Sequence, residues 1–372
     1  MSRVCTMLML ATLFIATSPS AVSQVEVLYL AQPEGTNFSL TTYNVNADTA
    51  VAEPAAEPMT VRASNVDPIT VSGHPLIYVW NSTDVWMFLT NAKGVPHRLG
   101  SQHLKFNLPH PVATFVADPD GKFAYAAMSW IGDPYNSIYT DLVLFTIDQS
   151  TGQLTDTGEI VGTYGPNPYI GMRNFSFGSS GRRLYGYYHD NGPHTCIIGY
   201  DYYAVNQTTG HLGPVTQLFY GQADCSGAGA VTFTDKFTAM AQACCSSGSG
   251  FVNVNPTFAG KAISCEYTPA FCADSVGNLA LDPASKNLFF GDANTGQTYI
   301  GHLDFVKQQL IESASTISGT PQIYFSPDSL LVYAVNSNDI GVYAFQSKTG
   351  TLGANTSLPD GGNVSIATAT LP

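Results

Sequence analysis

Apolar and polar residues alternate along most of this chain in short runs that end at turn-forming residues. Residues 112–154 show the pattern: VATFVADPDGKFAYAAM, a loop, and then DLVLFTIDQSTGQL. Alternation with a period of two is typical of strands that bury one face, and Gly, Asp and Pro favour tight reversals. The stretch therefore predicts four strands joined by a tight turn, a loop and a second tight turn. Helical periodicity is almost absent, so the chain is predicted to be all-β.

The four-stranded unit recurs along the sequence. Residues 173–212 and 321–352 repeat it, and weaker copies occupy much of the rest. The second strand of each unit carries a large apolar residue, here called its anchor; the anchors are Tyr29, Tyr78, Tyr125, Tyr185, Met240 (or Ala239), Phe289 and Tyr333. They are spaced by about 51 residues on average, a period typical of β-propeller blades. Seven anchors predict a seven-bladed β-propeller of four-stranded antiparallel blades.

The two ends of the chain predict how this ring closes. Residues 25–31 have the pattern of a second strand, with no first strand before them, whereas residues 363–371 have the pattern of a first strand with no partner after it. The C-terminal strand is therefore expected to enter the first blade, which removes two open sheet edges. Residues 24–372 are accordingly predicted to form a single propeller domain.

The turn and strand motifs resemble those of the lactonase-type seven-bladed propellers, which include propeller-type 6-phosphogluconolactonases and YVTN repeat proteins. The matching residues are Asp118, Pro119, Asp120, Gly121 and Tyr125; Ile147, Asp148, Thr151, Gly152 and Leu154; Ser326, Pro327, Asp328 and Tyr333; and Thr349, Gly350 and Leu352. The resemblance implies a sugar-lactone site with His-Pro and Arg at the starts of inner strands. The units are numbered in chain order, so the anchor of unit 3 is Tyr125 and that of unit 4 is Tyr185; the inner strand is the first strand of each unit. His110-Pro111 precedes the inner strand of unit 3, and Arg173 is the first residue of the inner strand of unit 4.

The first residues have the features of an export signal. Arg3 precedes an apolar run at residues 7–16, which is too short to span a bilayer, and residues 21–23 (Ala-Val-Ser) fit the small-x-small cleavage pattern. We expect residues 1–23 to be a signal peptide; the alternative is an N-terminal anchor helix. No later stretch is long and apolar enough to span a membrane, so the mature chain is predicted to be secreted, either extracellular or periplasmic.

Cysteine usage agrees with export. After Cys5 the chain contains six cysteines, Cys196, Cys225, Cys244, Cys245, Cys265 and Cys272. An even number in an exported chain favours disulfides, although six cysteines allow 15 pairings. We expect three disulfides, with Cys265–Cys272 favoured as a local pair. The alternative, a metal site, is not favoured because no CxxC motif is present and Cys244 and Cys245 are adjacent.

Charge and motifs exclude several functions. The chain has 14 Lys and Arg against 27 Asp and Glu, a net charge of −13, with no basic cluster to displace counterions from a nucleic acid. The sequence also lacks an HExxH, GxSxG, P-loop or GxGxxG motif, so no cofactor is assigned. Two histidines flank an aspartate in the sequence HDNGPH, which could hold a metal ion, but exposed loop residues are the favoured interpretation and no metal is assigned.

The longest repeat spacing lies between units 3 and 4, where the loops contain many aromatic and polar residues. The candidate ligand-binding residues there are Trp130, Asp133, Tyr135, Tyr139, Tyr164, Asn167, Tyr169, Arg173, His189, Asp190 and His194. Loops between the second and third strands and loops between blades emerge at one end of a propeller, so these residues are expected to share a surface. The alternative is that the aromatic residues only pack the loops against the blades.

Three functions remain open from the sequence. The favoured one is an exported binding or interaction module for a glycan, a peptide or a surface protein, because aromatic faces suit such ligands. The second is a structural component of an extracellular assembly, in keeping with a charged content of only 11%. The third is a lactone hydrolase or cycloisomerase in which His110 moves a proton and Arg173 stabilises an oxyanion.

Overall fold

The structure is a computed structural model. It describes residues 25–61, 67–71, 76–132, 138–167, 173–178, 180–191, 196–223, 230–233, 238–243, 250–255, 262–263, 276–292, 295–304, 309–359 and 364–371. All regular elements in these residues are strands. Within the same residues, no helix has the length and apolar character needed to cross a bilayer.

The strands of the N-terminal half are β1 (Val25–Glu34), β2 (Asn37–Val45), β3 (Ala52–Pro54), β4 (Met59–Val61), β5 (Asp67–Thr70), β6 (Leu76–Trp80), β7 (Asp84–Thr90), β8 (Pro96–Lys105), β9 (Val112–Ala117), β10 (Phe123–Ile131), β11 (Ile138–Ile147), β12 (Leu154–Asn167), β13 (Arg173–Phe177) and β14 (Arg183–Asn191). The remaining strands are β15 (Cys196–Val205), β16 (Leu212–Ala223), β17 (Ala230–Phe233), β18 (Thr238–Ala243), β19 (Gly250–Asn255), β20 (Ala262–Ile263), β21 (Val276–Leu281), β22 (Asn287–Asp292), β23 (Gln297–Asp304), β24 (Gln309–Ser318), β25 (Gln322–Phe325), β26 (Leu331–Val335), β27 (Asp339–Gln346), β28 (Thr351–Pro359) and β29 (Ser365–Leu371).

The described strands form seven antiparallel sheets, here called blades 1 to 7 in chain order. Blades 2 to 7 each contain four consecutive strands, from β5–β8 to β25–β28. Blade 1 has the order β29-β1-β2, and both β3 and β4 pair with the outer side of β2 because the fourth strand is interrupted. The predicted all-β propeller of four-stranded antiparallel blades is confirmed.

The C-terminal strand enters blade 1 as the two chain ends predicted. Strand β29 pairs antiparallel with β1 along its whole length, from Val25↔Leu371 to Ala31↔Ser365. Thr368 in this strand links both neighbouring blades. Its hydroxyl donates to the carbonyl of Phe325 in β25 at 2.7 Å, and its own carbonyl accepts from the hydroxyl of Thr70 in β5 at 2.7 Å. The last strand thus joins blade 7 to blade 2.

The hydrophobic core lies between adjacent blades, where the apolar face of one sheet packs against the next. Tyr78 and Val85 of blade 2, for example, belong to the same buried cluster as Phe115 and Phe145 of blade 3. All the predicted tyrosine and phenylalanine anchors are buried: Tyr29, Tyr78, Tyr125, Tyr185, Phe289 and Tyr333 are each at most 2% exposed. The side chain of Met240 lies outside the described residues.

Three tyrosine anchors also connect neighbouring blades through their hydroxyls. In blade 3, the Tyr125 hydroxyl donates to the carbonyl of Gly210 in blade 4 at 2.6 Å, and the equivalent bonds are Tyr29 to Gly94 at 2.8 Å and Tyr78 to Gly152 at 3.0 Å. Each acceptor lies in the tight turn between the third and fourth strands of the following blade. Glycine is required at residue 152, because φ is +72° and a Cβ would lie 2.2 Å from a side-chain carbon of Leu76.

Candidate functional site

The best-described site lies at one end of blade 3. The pair Val112↔Met128 places the start of the inner strand β9 beside the far half of β10, and the pair Asp141↔Thr163 brings the end of β12 to the start of β11. The segment before β9, the β10–β11 hairpin and the end of β12 therefore meet at this end. We call it the interblade-loop end of the sheet, and the opposite end, with the tight turns, the turn end.

Three rings stack at the interblade-loop end. The rings of His110 and Trp130 are 5.7 Å apart and inclined by 4°, and those of Trp130 and Tyr139 are 4.7 Å apart and inclined by 17°. His110 precedes β9 and Tyr139 lies on β11, the two strands on either side of β10, so the indole is flanked by one ring from each side. All three side chains are half-buried.

A chain of hydrogen bonds fixes the indole in this stack. The Trp130 Nε1–H donates to Oδ2 of Asp141 at 2.8 Å, and the Thr163 hydroxyl donates to Oδ1 of the same carboxylate at 2.8 Å. Asp141 is only 7% exposed, so these two donors compensate for the water that its carboxylate loses on burial. Beside it, the hydroxyls of Ser129 and Thr140 lie 3.1 Å apart.

The hairpin has a glycine where the stack leaves no room for a side chain. A Cβ at Gly132 would lie 2.3 Å from Cζ3 of Trp130 and 2.6 Å from Cε2 of Tyr139. A larger residue at this position would displace one of the two rings. The local sequence Trp-Ile-Gly is thus suited to a hairpin that folds over its own aromatic residues.

His110 touches Trp130 with the face of its imidazole ring. Within the described part of the chain, neither ring nitrogen of His110 has a hydrogen-bond partner. Within these residues the ring is therefore oriented by stacking on Trp130.

The next blade brings further predicted residues to the same end by its backbone. Arg173 is the first residue of the inner strand β13, which contacts the inner strand β9 of blade 3. His189 and Asp190 pair with Ile198 and Ile197 near the end of the β14–β15 hairpin, which Cys196 completes. The structure describes the backbone at these positions and not the side chains.

The other predicted site residues fall into two groups. Tyr164 is half-buried and packs on the apolar cluster between blades 3 and 4, and the backbone of Asn167 pairs with Ile138 at the end of β12. Asp133, Tyr135, Tyr169 and His194, with the cysteines Cys225, Cys244, Cys245, Cys265 and Cys272, lie outside the described residues. The predicted disulfides therefore remain a prediction.

Sequence reasoning missed Asp141 and Thr163. Asp141 is the first residue of the apolar run DLVLF, so the sequence pattern suggests that it marks the start of a strand. In the structure it lies within β11 and is buried. The available signal was the position of this acid across the hairpin from Met128, two residues from the tryptophan on the same strand. Across the described residues, His, Cys, Asp and Glu side chains nowhere gather in groups of three that could hold a metal ion.

Comparison with solved structures identifies the class of fold. No family model and no curated protein matches the sequence. The chain is similar to a candidate 6-phosphogluconolactonase of Bacteroides fragilis, with a TM-score of 0.62 and 14% identity over 95% of this chain and 100% of that one. It is also similar to the periplasmic gluconolactonase PpgL of Pseudomonas aeruginosa, with a TM-score of 0.59 and 14% identity over 92% and 99% of the two chains.

A third neighbour, a candidate 6-phosphogluconolactonase of Bacteroides uniformis, has a TM-score of 0.55 and 14% identity over 92% of this chain and 99% of that one. At such low identity these similarities define the fold. The chain has the β-propeller fold of these structures, and the fold implied by the resemblance of the turn motifs is confirmed.

Proposed function

We propose that this protein hydrolyses a lactone at the interblade-loop end of blades 3 and 4. The observation that carries the proposal is the stack of His110 on the fixed indole of Trp130, next to the inner strand that Arg173 opens; among the described residues, neither imidazole nitrogen has a hydrogen-bond partner. A histidine so held can transfer a proton, and a guanidinium nearby can stabilise a developing negative charge.

The chemistry needs only the lactone and water. His110 takes a proton from water as its oxygen adds to the lactone carbonyl, and Arg173 stabilises the resulting oxyanion. The bond from the carbonyl carbon to the ring oxygen then breaks, and His110 returns the proton to the leaving oxygen. The product is the open hydroxy acid, and no other reactant is consumed.

The structural neighbours support a sugar lactone as the substrate, whereas the charge of the chain and its predicted export favour a neutral one. Two of the structural neighbours are candidate 6-phosphogluconolactonases and one is a periplasmic gluconolactonase. The net charge of −13 disfavours the approach of a phosphorylated compound. Residues 1–23, the predicted signal peptide, lie outside the described residues; export to the periplasm or the extracellular space stays a prediction and agrees with a neutral substrate.

The arrangement of rings favours this function over a binding module. The sequence suggested that Trp130 offers a free aromatic face to a glycan or a peptide. In the structure the indole is flanked by His110 and Tyr139, which occupy surface that such a ligand would use. The tryptophan thus serves better as a support for His110 than as a ligand platform.

The proposal is tested with purified protein and D-glucono-1,5-lactone, with 6-phospho-D-glucono-1,5-lactone as a second substrate, in a pH-stat against the spontaneous rate. We expect the substitution His110→Gln to lower kcat/KM by about 10²–10⁴-fold and Arg173→Gln by about 10²–10³-fold. His211→Gln is the matched control, because this exposed histidine lies in the turn between β15 and β16, where it faces Glu159.

Two results would contradict the proposal. One is a folded wild-type protein that does not accelerate hydrolysis of either lactone. The other is a His110→Gln variant that is as active as the wild type and the His211→Gln control. If a glycan array then showed binding that Trp130→Ala abolished, the binding module would replace the enzyme as the better explanation.

A further inference from the structure

A group of buried oxygen atoms lies far from the proposed site, where blade 7 meets blade 1. We call it the seam cluster; it consists of Glu26 on β1, Asp328 in the turn between β25 and β26, Tyr333 on β26 and Thr370 on β29. Glu26 is 1% exposed and Tyr333 is fully buried. The cluster therefore lies within the packing that closes the ring.

Each acid of the seam cluster has one oxygen with a partner and one without. Oε2 of Glu26 accepts from the Thr370 hydroxyl at 2.9 Å, and Oδ1 of Asp328 accepts from the Ser326 hydroxyl at 2.7 Å and from the Leu330 backbone N–H at 3.0 Å. Within the described residues, Oε1 of Glu26, Oδ2 of Asp328 and the Tyr333 hydroxyl are buried and have no hydrogen-bond partner.

Glu26 occupies a position that holds a cation in three other blades. Three residues before the anchor, other blades have the cations Lys122, Arg182 and Lys286, and Lys122 lies 3.2 Å from the turn residue Asp120. The corresponding residue of blade 1 is Glu26, which faces Asp328, the equivalent of Asp120 in blade 7. The ion pair of blade 3 lies within one turn, whereas the seam brings together two acids from different blades.

In the described part of the chain, the groups that act on Glu26 include no positive charge. Burial, first of all, and the nearby Asp328 carboxyl raise the pKa of Glu26 to about 8, against the lowering effect of the hydrogen bond from Thr370. Tyr333, the remaining titratable group, is itself acidic, and burial with the two carboxylates raises its pKa well above the ordinary value. Two ionised carboxylates at this place would be strongly destabilising.

We propose that Glu26 and Asp328 share one proton, with Oε1 of Glu26 donating to Oδ2 of Asp328, and that this bond makes ring closure sensitive to pH. A single proton gives both orphaned carboxylate oxygens a partner without any other ligand. It also joins β1 of the first blade directly to the last blade, beside the C-terminal strand.

The direction of the pH effect follows from linkage. The folded protein keeps a proton on Glu26 up to pH of about 8, whereas the unfolded chain releases it near the ordinary value of 4.5. Stability therefore falls as the pH rises through this window, because the folded state binds more protons than the unfolded state. The contact between blades 7 and 1 is therefore expected to be most stable at acidic pH.

The test compares the melting temperatures of the wild type and Glu26→Gln from pH 6 to pH 9. Glutamine cannot ionise and can still donate to Asp328. We expect the melting temperature of the variant, relative to the wild type, to rise by about 4 °C across this range. Asp328→Asn removes the neighbouring charge but leaves Glu26 buried, so its profile should lie between those of the wild type and Glu26→Gln. The matched control Asp120→Asn, at the equivalent turn position in blade 3, should parallel the wild type.

Hydrogen exchange locates the effect. After correction for intrinsic exchange rates, amides of β29 should lose protection as the pH rises from 6 to 8 in the wild type but not in Glu26→Gln, whereas amides of β10 should change equally in both proteins. Parallel melting profiles for the wild type, Glu26→Gln and Asp328→Asn would overturn the proposal. Recovery of wild-type stability at pH 9 by Ca²⁺ or K⁺, absent in Glu26→Gln, would also overturn it, by showing that a metal ion occupies the cluster.

Discussion

Removing one hydroxyl from the anchor Tyr125 tests whether bonds between blades contribute to the stability of the ring. In Tyr125→Phe the ring still fills its buried position, but the Gly210 carbonyl loses a donor at 2.6 Å. A buried acceptor left without its donor costs about 1–3 kcal/mol. We therefore expect the free energy of unfolding to fall by about 2 kcal/mol.

The chain contains its own matched control in Tyr333, the corresponding anchor of blade 7. Its hydroxyl is buried without a hydrogen-bond partner among the described residues, so Tyr333→Phe removes a polar group that gains nothing from burial. This substitution should be neutral or should stabilise the protein by up to about 1 kcal/mol. Blade 6 already has a phenylalanine, Phe289, as its anchor, and there Asn287 Nδ2 donates to the Ser347 carbonyl of the next blade at 2.7 Å.

The measurement is urea unfolding of the two variants and the wild type, followed by tryptophan fluorescence at pH 6, where the seam cluster is expected to be protonated. The reasoning predicts a clear loss for Tyr125→Phe and none for Tyr333→Phe. An equal loss in both variants, or a larger loss for Tyr333→Phe, would show that the hydrogen bond to the following blade is not what the anchor hydroxyl contributes.

Further predictions concern the site, the turns and the closing strand. Trp130→Phe keeps an aromatic ring but loses the bond to Asp141, so we expect kcat for lactone hydrolysis to fall about tenfold with KM little changed, as steady-state kinetics will show. Gly152 and Gly158 have similar positive φ values, but a Cβ at Gly152 would clash with the buried Leu76, whereas a Cβ at Gly158 would meet open space. In urea titrations, Gly152→Ala should therefore destabilise the protein by about 1–3 kcal/mol more than Gly158→Ala. Deletion of residues 364–372 should lower the melting temperature strongly because it opens two sheet edges, and an unchanged value in calorimetry would refute the role given to β29.

The repeating fold was predictable because its signals are local and recur. Each unit needs one large residue in its second strand and small or polar residues at its tight turns. Both features recur with the same spacing, so the spacing alone locates the strands and the turns of each unit. Even the closing strand could be recognised, since an unpaired first strand at one end matches a missing one at the other. What the period did not reveal is that Tyr125 and Gly210 bond to each other, because the two residues belong to different units.

The candidate site was predictable only in part. Trp130 and Tyr139 stood out as aromatic residues in one hairpin, but their arrangement depends on Asp141, which the pattern assigned to the border of a strand. His110 was chosen for the resemblance to lactonase propellers, and its contact with Trp130 required the register of β9 against β10. The seam cluster was hidden for a different reason: Glu26 and Asp328 lie near opposite ends of the sequence and meet only when the ring closes.

The proposed lactone site and the seam cluster lie at opposite ends of the sheets, so the two proposals can be tested independently. Glu26 lies near the start of β1, and Asp328 lies in the turn between β25 and β26, the first two strands of blade 7. The seam cluster therefore lies at the turn end of the sheets. The glycine carbonyls that accept from the anchor hydroxyls lie in tight turns at that same end. His110 and Trp130 lie at the interblade-loop end, where loops can lengthen without disturbing these closing contacts. A substitution in the seam should therefore change how stability depends on pH while leaving the pH dependence of lactone hydrolysis unchanged at temperatures where both proteins are folded.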